Sequence, residues 1–123
     1  MNNLKISNSL TRSKDLFKPI NPKNITMYVC GPTVYADPHV GNARSLIAFD
    51  LLYRVLIKLY GQKNIIYVRN ITDVDDKIIE ISKTKGIPVD KITSNVLKTF
   101  QRNIKDLNCL EPTSEPKATD HIK

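Results

Sequence analysis

Chemistry concentrates in one stretch, Cys30-Gly31-Pro32-Thr33-Val34-Tyr35-Ala36-Asp37-Pro38-His39-Val40-Gly41-Asn42-Ala43-Arg44. It opens on a thiol and ends in His39-Val40-Gly41-Asn42, where a helix begins. A helix start offers free backbone N–H groups and a partial positive charge, so such a place binds phosphate. His39 and Asn42 can donate to phosphate oxygens, and Gly41, with no Cβ, lets a planar base approach the backbone. Taken by residue type alone, His39 serves equally well as a cap that packs the helix start. Cys30 reads more simply as a small apolar residue closing a strand.

The elements that must position these groups can be read from pattern. Ile25-Thr26-Met27-Tyr28-Val29-Cys30 is β-branched and aromatic and is closed by Gly31-Pro32, which predicts a strand. From Gly41 to Tyr60, Leu46, Ile47, Phe49, Leu52, Tyr53, Leu56 and Leu59 cover most of a helical wheel. Asp50, Arg54 and Lys58 form a charged stripe expected to face water, and Gly61 is placed to end the helix. Asn64-Ile65-Ile66-Tyr67-Val68 lacks polar alternation, as expected of a strand buried on both faces of a parallel sheet. Strand, helix and strand make a βαβ unit, whose ligands lie beyond the carboxyl ends of the strands. Cys30, the loop from Gly31 to Val40, and Arg69 to Asp73 should therefore meet at one edge.

Two more helices follow. One is expected from Asp73 or Val74 to Thr84. The next runs from about Val89 to Leu107, with Val89, Ile92, Val96, Phe100, Ile104 and Leu107 as its packing stripe. Glu111-Pro112 to Glu115-Pro116 reads as a loop, and Thr119-Asp120 as the N-cap of a helix that the chain does not continue. Met1 to Pro22 reads as an irregular arm with a short strand at Leu4 to Ile6.

Composition narrows the class. The 123 residues suit one domain, and 19 Lys and Arg against 12 Asp and Glu leave a charge of +7 that suits an anionic partner such as nucleotide phosphate or RNA. The same charge could serve solubility alone, since the basic residues are scattered. Two cysteines, Cys30 and Cys109, stand far apart, which argues against a disulfide framework and for a reducing cytoplasm. No stretch reads as a signal peptide or a membrane span.

His39-Val40-Gly41-Asn42 resembles the HIGH signature of class I aminoacyl-tRNA synthetases. Two longer blocks, Met27 to Tyr35 and Tyr67 to Ile79, are similar to the cysteinyl-tRNA synthetase family in order and separation. The arm, with Leu10-Thr11-Arg12 and Phe17-Lys18-Pro19, and the tail, with Glu115 to Thr119, extend the likeness over nearly the whole chain. The resemblance implies an α/β fold, the first half of a Rossmann-like parallel sheet domain, truncated. Its domains would be an arm at 1–22 and a partial nucleotide-binding catalytic domain at 23–123. It implies activation of cysteine with ATP and Mg²⁺ to cysteinyl-adenylate, followed by transfer to tRNA(Cys).

Residue by residue, the resemblance implies that Cys30 is one ligand of a zinc ion that takes the substrate's thiolate, a soft donor that a serine hydroxyl cannot replace. His39 and Asn42 would hold ATP and stabilise charge at the α-phosphate. Gly31, Thr33 and Tyr35 would line the aminoacyl-adenylate pocket, Gly41 would meet the nucleotide, and Thr72 would lie near the bound amino acid. Asp75 and Asp76 are better read as helix-start acids. The family's other zinc ligands and its lysine-bearing KMSKS loop are absent from this chain, so it is expected to be inactive alone and to need the C-terminal portion of the enzyme. Joining Cys30 with Cys109, His39 and His121 in a separate metal site is disfavoured by their spacing. Two other readings stay open: an ATP-dependent ligase joining cysteine to an amino sugar, and a non-catalytic module that binds RNA or a partner.

Overall fold

The computed structural model describes residues 3–122, so residues 1, 2 and 123 of the expected arm and domain lie outside the described residues. Two parallel strands, β3 (Ile25–Val29) and β4 (Ile65–Arg69), pair in register from Ile25 opposite Ile65 to Val29 opposite Arg69. The 21-residue helix α1 (Val40–Tyr60) connects them, and the Gly61 N–H closes its last turn on the Ile57 carbonyl. The expected βαβ unit is present.

Alternation places Ile25, Met27, Val29, Ile65 and Tyr67 on the face that α1 covers with Tyr53 and Leu56. The Tyr53 and Tyr67 rings sit 4.9 Å apart at a tilt, within the range of favourable aromatic pairs. The opposite face is open: Tyr28 and Ile66 are exposed, and Val68 is only half-buried. The expectation that the second strand is buried on both faces is therefore corrected, because no helix covers the second face among the described residues. Ile47, Phe49 and Leu51 of α1 are exposed for a related reason: its apolar residues surround more of the helix than one sheet can cover.

The amino-terminal arm is not irregular. Strands β1 (Lys5–Asn8) and β2 (Ser13–Leu16) form an antiparallel hairpin. Its turn is held by the Asp15 carboxylate, which accepts from Ser13, Thr11 and Asn8, and these bonds, that of Ser13 foremost, keep the carboxyl below its ordinary range. Leu4 and Phe17 pack on the main core, with Phe17 edge-on to Tyr60 at 6.2 Å.

Helices α2 (Asp76–Lys85) and α3 (Val89–Asp106) follow as expected, with Asp75 capping α2 by accepting from the Lys77 N–H at 2.9 Å. Phe100 and Ile104 of α3 join Val34 and Ile71 in a second core. The stripe Asp50–Arg54 does not simply face water. The Asp50 carboxylate accepts from the Leu110 N–H at 2.7 Å and the Arg54 guanidinium donates to the Asn108 carbonyl at 2.6 Å, tying α1 to the segment after α3. Only Lys58 of that stripe is left as a purely solvated charge.

The carboxyl-terminal segment also departs from expectation. Instead of a free loop, residues 113–118 run parallel along the outer edge of β4 and onward past it. The Arg69 N–H donates to the Ser114 carbonyl at 3.1 Å, the Ile71 N–H to the Pro116 carbonyl at 2.9 Å, and the Ala118 N–H to the Ile71 carbonyl at 2.9 Å. Pro112 and Pro116 lack N–H groups, so the ladder is broken into bridges rather than a regular strand. Arg69, 3% exposed, makes two bonds to one Glu115 oxygen, at 2.9 and 2.5 Å, and lies 5.4 Å from the centre of the Phe100 ring. Thr119 donates through both its N–H and its hydroxyl to the Asp73 carboxylate, at 3.0 and 2.6 Å.

Two predictions follow from this edge. Replacing Arg69 with Met leaves the Glu115 carboxylate half-buried and unpaired, and should cost about 3 kcal/mol in urea unfolding; an unchanged midpoint would show that the pair adds nothing. Burial raises the Asp73 pKa, but the two bonds from Thr119, with Lys117 nearby, outweigh it and hold the carboxyl below its ordinary 3.8. Stability from this clasp is present above that value and is lost as pH falls through the depressed one. The Thr119 amide signal in an NMR titration should follow a midpoint below 3.8, and a midpoint above it would contradict the clasp.

Candidate functional site

The site forms where β3 and β4 end. Gly31, just past β3, crosses directly over residue 70: its N–H donates to the Asn70 side chain at 2.9 Å, and a Cβ built on it would fall 1.5 Å from the Asn70 carbonyl oxygen. No other residue fits there. Beyond the crossing the two loops stay stitched, since the Thr72 N–H donates to the Pro32 carbonyl at 3.0 Å and the Val34 N–H to the Thr72 carbonyl at 3.1 Å. The stretch from Cys30 to Val40 is thereby held over the amino-terminal end of α1.

At that end His39 is the cap. Its Nδ1 accepts from the Gly41 N–H at 3.0 Å, while the Asn42 side-chain oxygen accepts from the His39 N–H at 2.9 Å. The Asn42 and Ala43 N–H groups are taken by the His39 carbonyl, at 2.9 and 3.2 Å. The expectation of free backbone donors is corrected at these three positions: the chain satisfies its own helix start. What remains free to donate is side chain. With Nδ1 accepting, the neutral imidazole carries its proton on Nε2, and the Asn42 amide nitrogen has no partner among the described residues. Gly41 is also reassigned. The space beside it is filled by the His39 ring, with Cε1 only 2.8 Å from where a Cβ would stand, so no base can lie there while the cap holds.

Three hollows meet at these groups, and Phe100 of α3 borders all of them. A hollow of about 70 Å³ gathers Cys30, Gly31, Asn42 and Phe49. A second of about 70 Å³ gathers Thr33, Tyr35, His39 and Asn42. A groove of about 330 Å³ runs from His39 and Ala43 to Leu46, Phe100 and Leu107, between α1 and α3. Of these three, only the groove reaches the size usual for small-molecule sites. The expected residues are thus brought together with two exceptions, Gly41 and Thr72, which border none of the three. The Thr72 hydroxyl instead accepts from the Asn70 amide at 3.3 Å.

Cys30 is exposed, with its sulfur 3.7 Å from the Gly31 carbonyl, so its reading as a buried apolar residue is set aside. An open thiol suits a soft metal. Among the described residues, however, no three His, Cys, Asp or Glu side chains come together to hold a metal ion. Cys30 fits as a single donor. Cys109 packs at the second core, where burial and then Asp50 push its thiol pKa up, which disfavours the thiolate a metal needs.

The sequence places Arg69 and Asn70 at this edge without a role for either, and does not connect Glu115 or Phe100 to it. Arg69 carried a signal: a charged residue ending an apolar strand needs a partner when buried, and Glu115 lies in a Pro-flanked acidic segment. Phe100 was seen only as packing.

Residues 16–123 match the family of tRNA synthetases class I (C) catalytic domains. The chain belongs to that family, and its α/β fold agrees with it. Among its relatives are the cysteine-tRNA ligases of Rickettsia prowazekii, 55% identical over 97% of this chain, of Rickettsia bellii, 56% identical over 94%, and of Orientia tsutsugamushi, 56% identical over 98%. The chain spans about a quarter of the length of these curated relatives, 26%, 25% and 25% in turn.

The Gly31 crossing gives a direct test. Gly31→Ala must part the ends of β3 and β4, and should cost about 3 kcal/mol of stability. A urea midpoint within error of the parent would mean that the strand ends move apart freely.

Proposed function

We propose that this chain supplies the amino-terminal catalytic-domain segment of a cysteine-tRNA ligase, in which cysteine is activated to cysteinyl-adenylate and then passed to tRNA(Cys). The observation that carries this reading is the convergence of the Cys30 thiol and the two side-chain donors of His39 and Asn42 on adjoining hollows at the strand ends. The hollow beside Cys30 is of a size for an amino acid side chain. The 330 Å³ groove bordered by His39 is where a nucleotide base finds room. Residues 23–123 form the partial catalytic domain and 1–22 the arm, of which Leu4 and Phe17 brace the core.

In the chemical step the cysteine carboxylate attacks the α-phosphorus of ATP and pyrophosphate leaves. Charge grows on the α-phosphoryl oxygens as the new P–O bond forms. His39 Nε2–H and the Asn42 amide donate to those oxygens; no proton needs to move. Each such preorganised donor is worth roughly 10²–10³ in rate. Gly31, Thr33 and Tyr35 shape the walls around the adenylate, and Thr72 holds the loop that carries them. Mg²⁺ accompanies the triphosphate. Zinc, when bound, would supply a soft Lewis acid for the substrate thiolate, with Cys30 as one donor and the rest of the set drawn from outside the described residues. The setting is the cytoplasm, where thiols stay reduced; no helix among the described residues is long and apolar enough to cross a membrane.

Cysteine-dependent exchange of labelled pyrophosphate into ATP tests the reading. The chain joined to the remaining three quarters of the Rickettsia prowazekii ligase should exchange, and His39→Ala or Asn42→Ala should each lower kcat by about 10²–10³ while circular dichroism stays unchanged. The chain alone should not exchange. Full exchange by the His39→Ala hybrid would remove His39 from the reaction, and exchange driven by a different amino acid would remove cysteine.

A further inference from the structure

We propose that Gly41 and Asn42 are positioning residues that lock His39 into one tautomer, with its proton on Nε2, so that the ring meets a ligand only as a donor. For the identity of that ligand the inference rests on the ATP-binding reading above; the lock itself rests on geometry.

A phosphoryl oxygen only accepts hydrogen bonds, so an imidazole is useful to it through an N–H and not through a bare nitrogen. In a freely rotating neutral histidine either nitrogen can carry the proton. Here Nδ1 is committed as acceptor by the Gly41 N–H at 3.0 Å. The ring reaches that N–H only by folding back over the helix start, across the face of Gly41 where a Cβ would stand 2.8 Å from Cε1 and 2.9 Å from Nδ1. Any side chain there would push the imidazole off its donor. Packing does not hold the ring in place, because His39 is exposed. What fixes its backbone is the bond from its own N–H to the Asn42 side-chain oxygen at 2.9 Å, at φ −116° and ψ 175°. Gly41 therefore sets the tautomer and Asn42 sets the angle from which the ring is presented.

The chain has two histidines, so His121→Gln leaves His39 as the only imidazole. Long-range proton-nitrogen NMR of this ¹⁵N-labelled chain, at about pH 8 where an ordinary histidine is neutral, reads the tautomer directly. The two ring nitrogens should be widely split, one of acceptor type at Nδ1 and one of N–H type at Nε2. Gly41→Ala should draw the two signals together as the tautomers exchange. Asn42→Ala should narrow the split, whereas Asn42→Asp, whose carboxylate still accepts from the His39 N–H, should keep it. Averaged nitrogens in the parent, or a full split in both Gly41→Ala and Asn42→Ala, would overturn the lock. Should Gly41→Ala fail to fold, the Asn42 pair decides alone. The measurement needs no nucleotide: a locked ring in a hybrid that fails pyrophosphate exchange would sink the ligase reading and leave the lock standing, and an averaged ring in an active hybrid would do the reverse.

Discussion

The whole site depends on one steric constraint, the passage of the chain at Gly31 over the carbonyl of Asn70. Parallel strands leave their ends side by side, but ends alone do not make a cleft; something must stop the loops from splaying. Here the stop is backbone against backbone, at a distance that excludes a single methyl group. From that crossing the pairing continues through Pro32, Thr33, Val34 and Thr72, so the signature loop is an extension of the sheet rather than a free excursion. Cys30 lies just before the crossing and His39 at the far end of the loop. Their relation to one another is thus set by sheet geometry and not by contacts between the two side chains.

A second pairing underlies the first. β4 has β3 on one side and the segment 113–118 on the other, with the buried Arg69 paired to the half-buried Glu115 at the junction. Arg69 also lies over Phe100, the residue common to all three hollows. A guanidinium placed between a carboxylate and an aromatic face satisfies both its charge and its apolar surface. The tail therefore supports the candidate site through a side chain as well as through its backbone bridges: Glu115 holds Arg69, and Arg69 supports the ring that borders the hollows. Asp50 and Arg54 act likewise from the other flank, binding the backbone at 108–110 to α1.

Periodicity made the βαβ unit and the two later helices legible, because apolar spacing differs plainly between strand and helix. Blocks of similarity made the family legible. Three things were hidden for physical reasons. Bridges formed by residues 113–118 depend on backbone groups, which leave no mark in a segment broken by prolines. The β1–β2 hairpin is short and polar, and its turn is held by Asp15, Thr11, Ser13 and Asn8, residues that also suit an open loop. The open face of the sheet could not be read because Ile66 and Val68 look the same in a sequence whether or not something covers them.

The helix start is where the sequence was most nearly right and most instructively incomplete. A histidine before a glycine at the head of a helix suggests both a phosphate site and a cap, and by residue type alone the two compete. In the structure they are one arrangement. Capping consumes the Gly41, Asn42 and Ala43 N–H groups, which removes the backbone as the main anion donor. The same bonds turn the Nε2 and amide N–H groups outward, and these carry the helix's positive end into a reach that backbone groups do not have. An anion arriving here would not have to displace the cap to be bound. In the proposed ligase, donors already held in place would cost no reorganisation when charge develops on the phosphoryl oxygens.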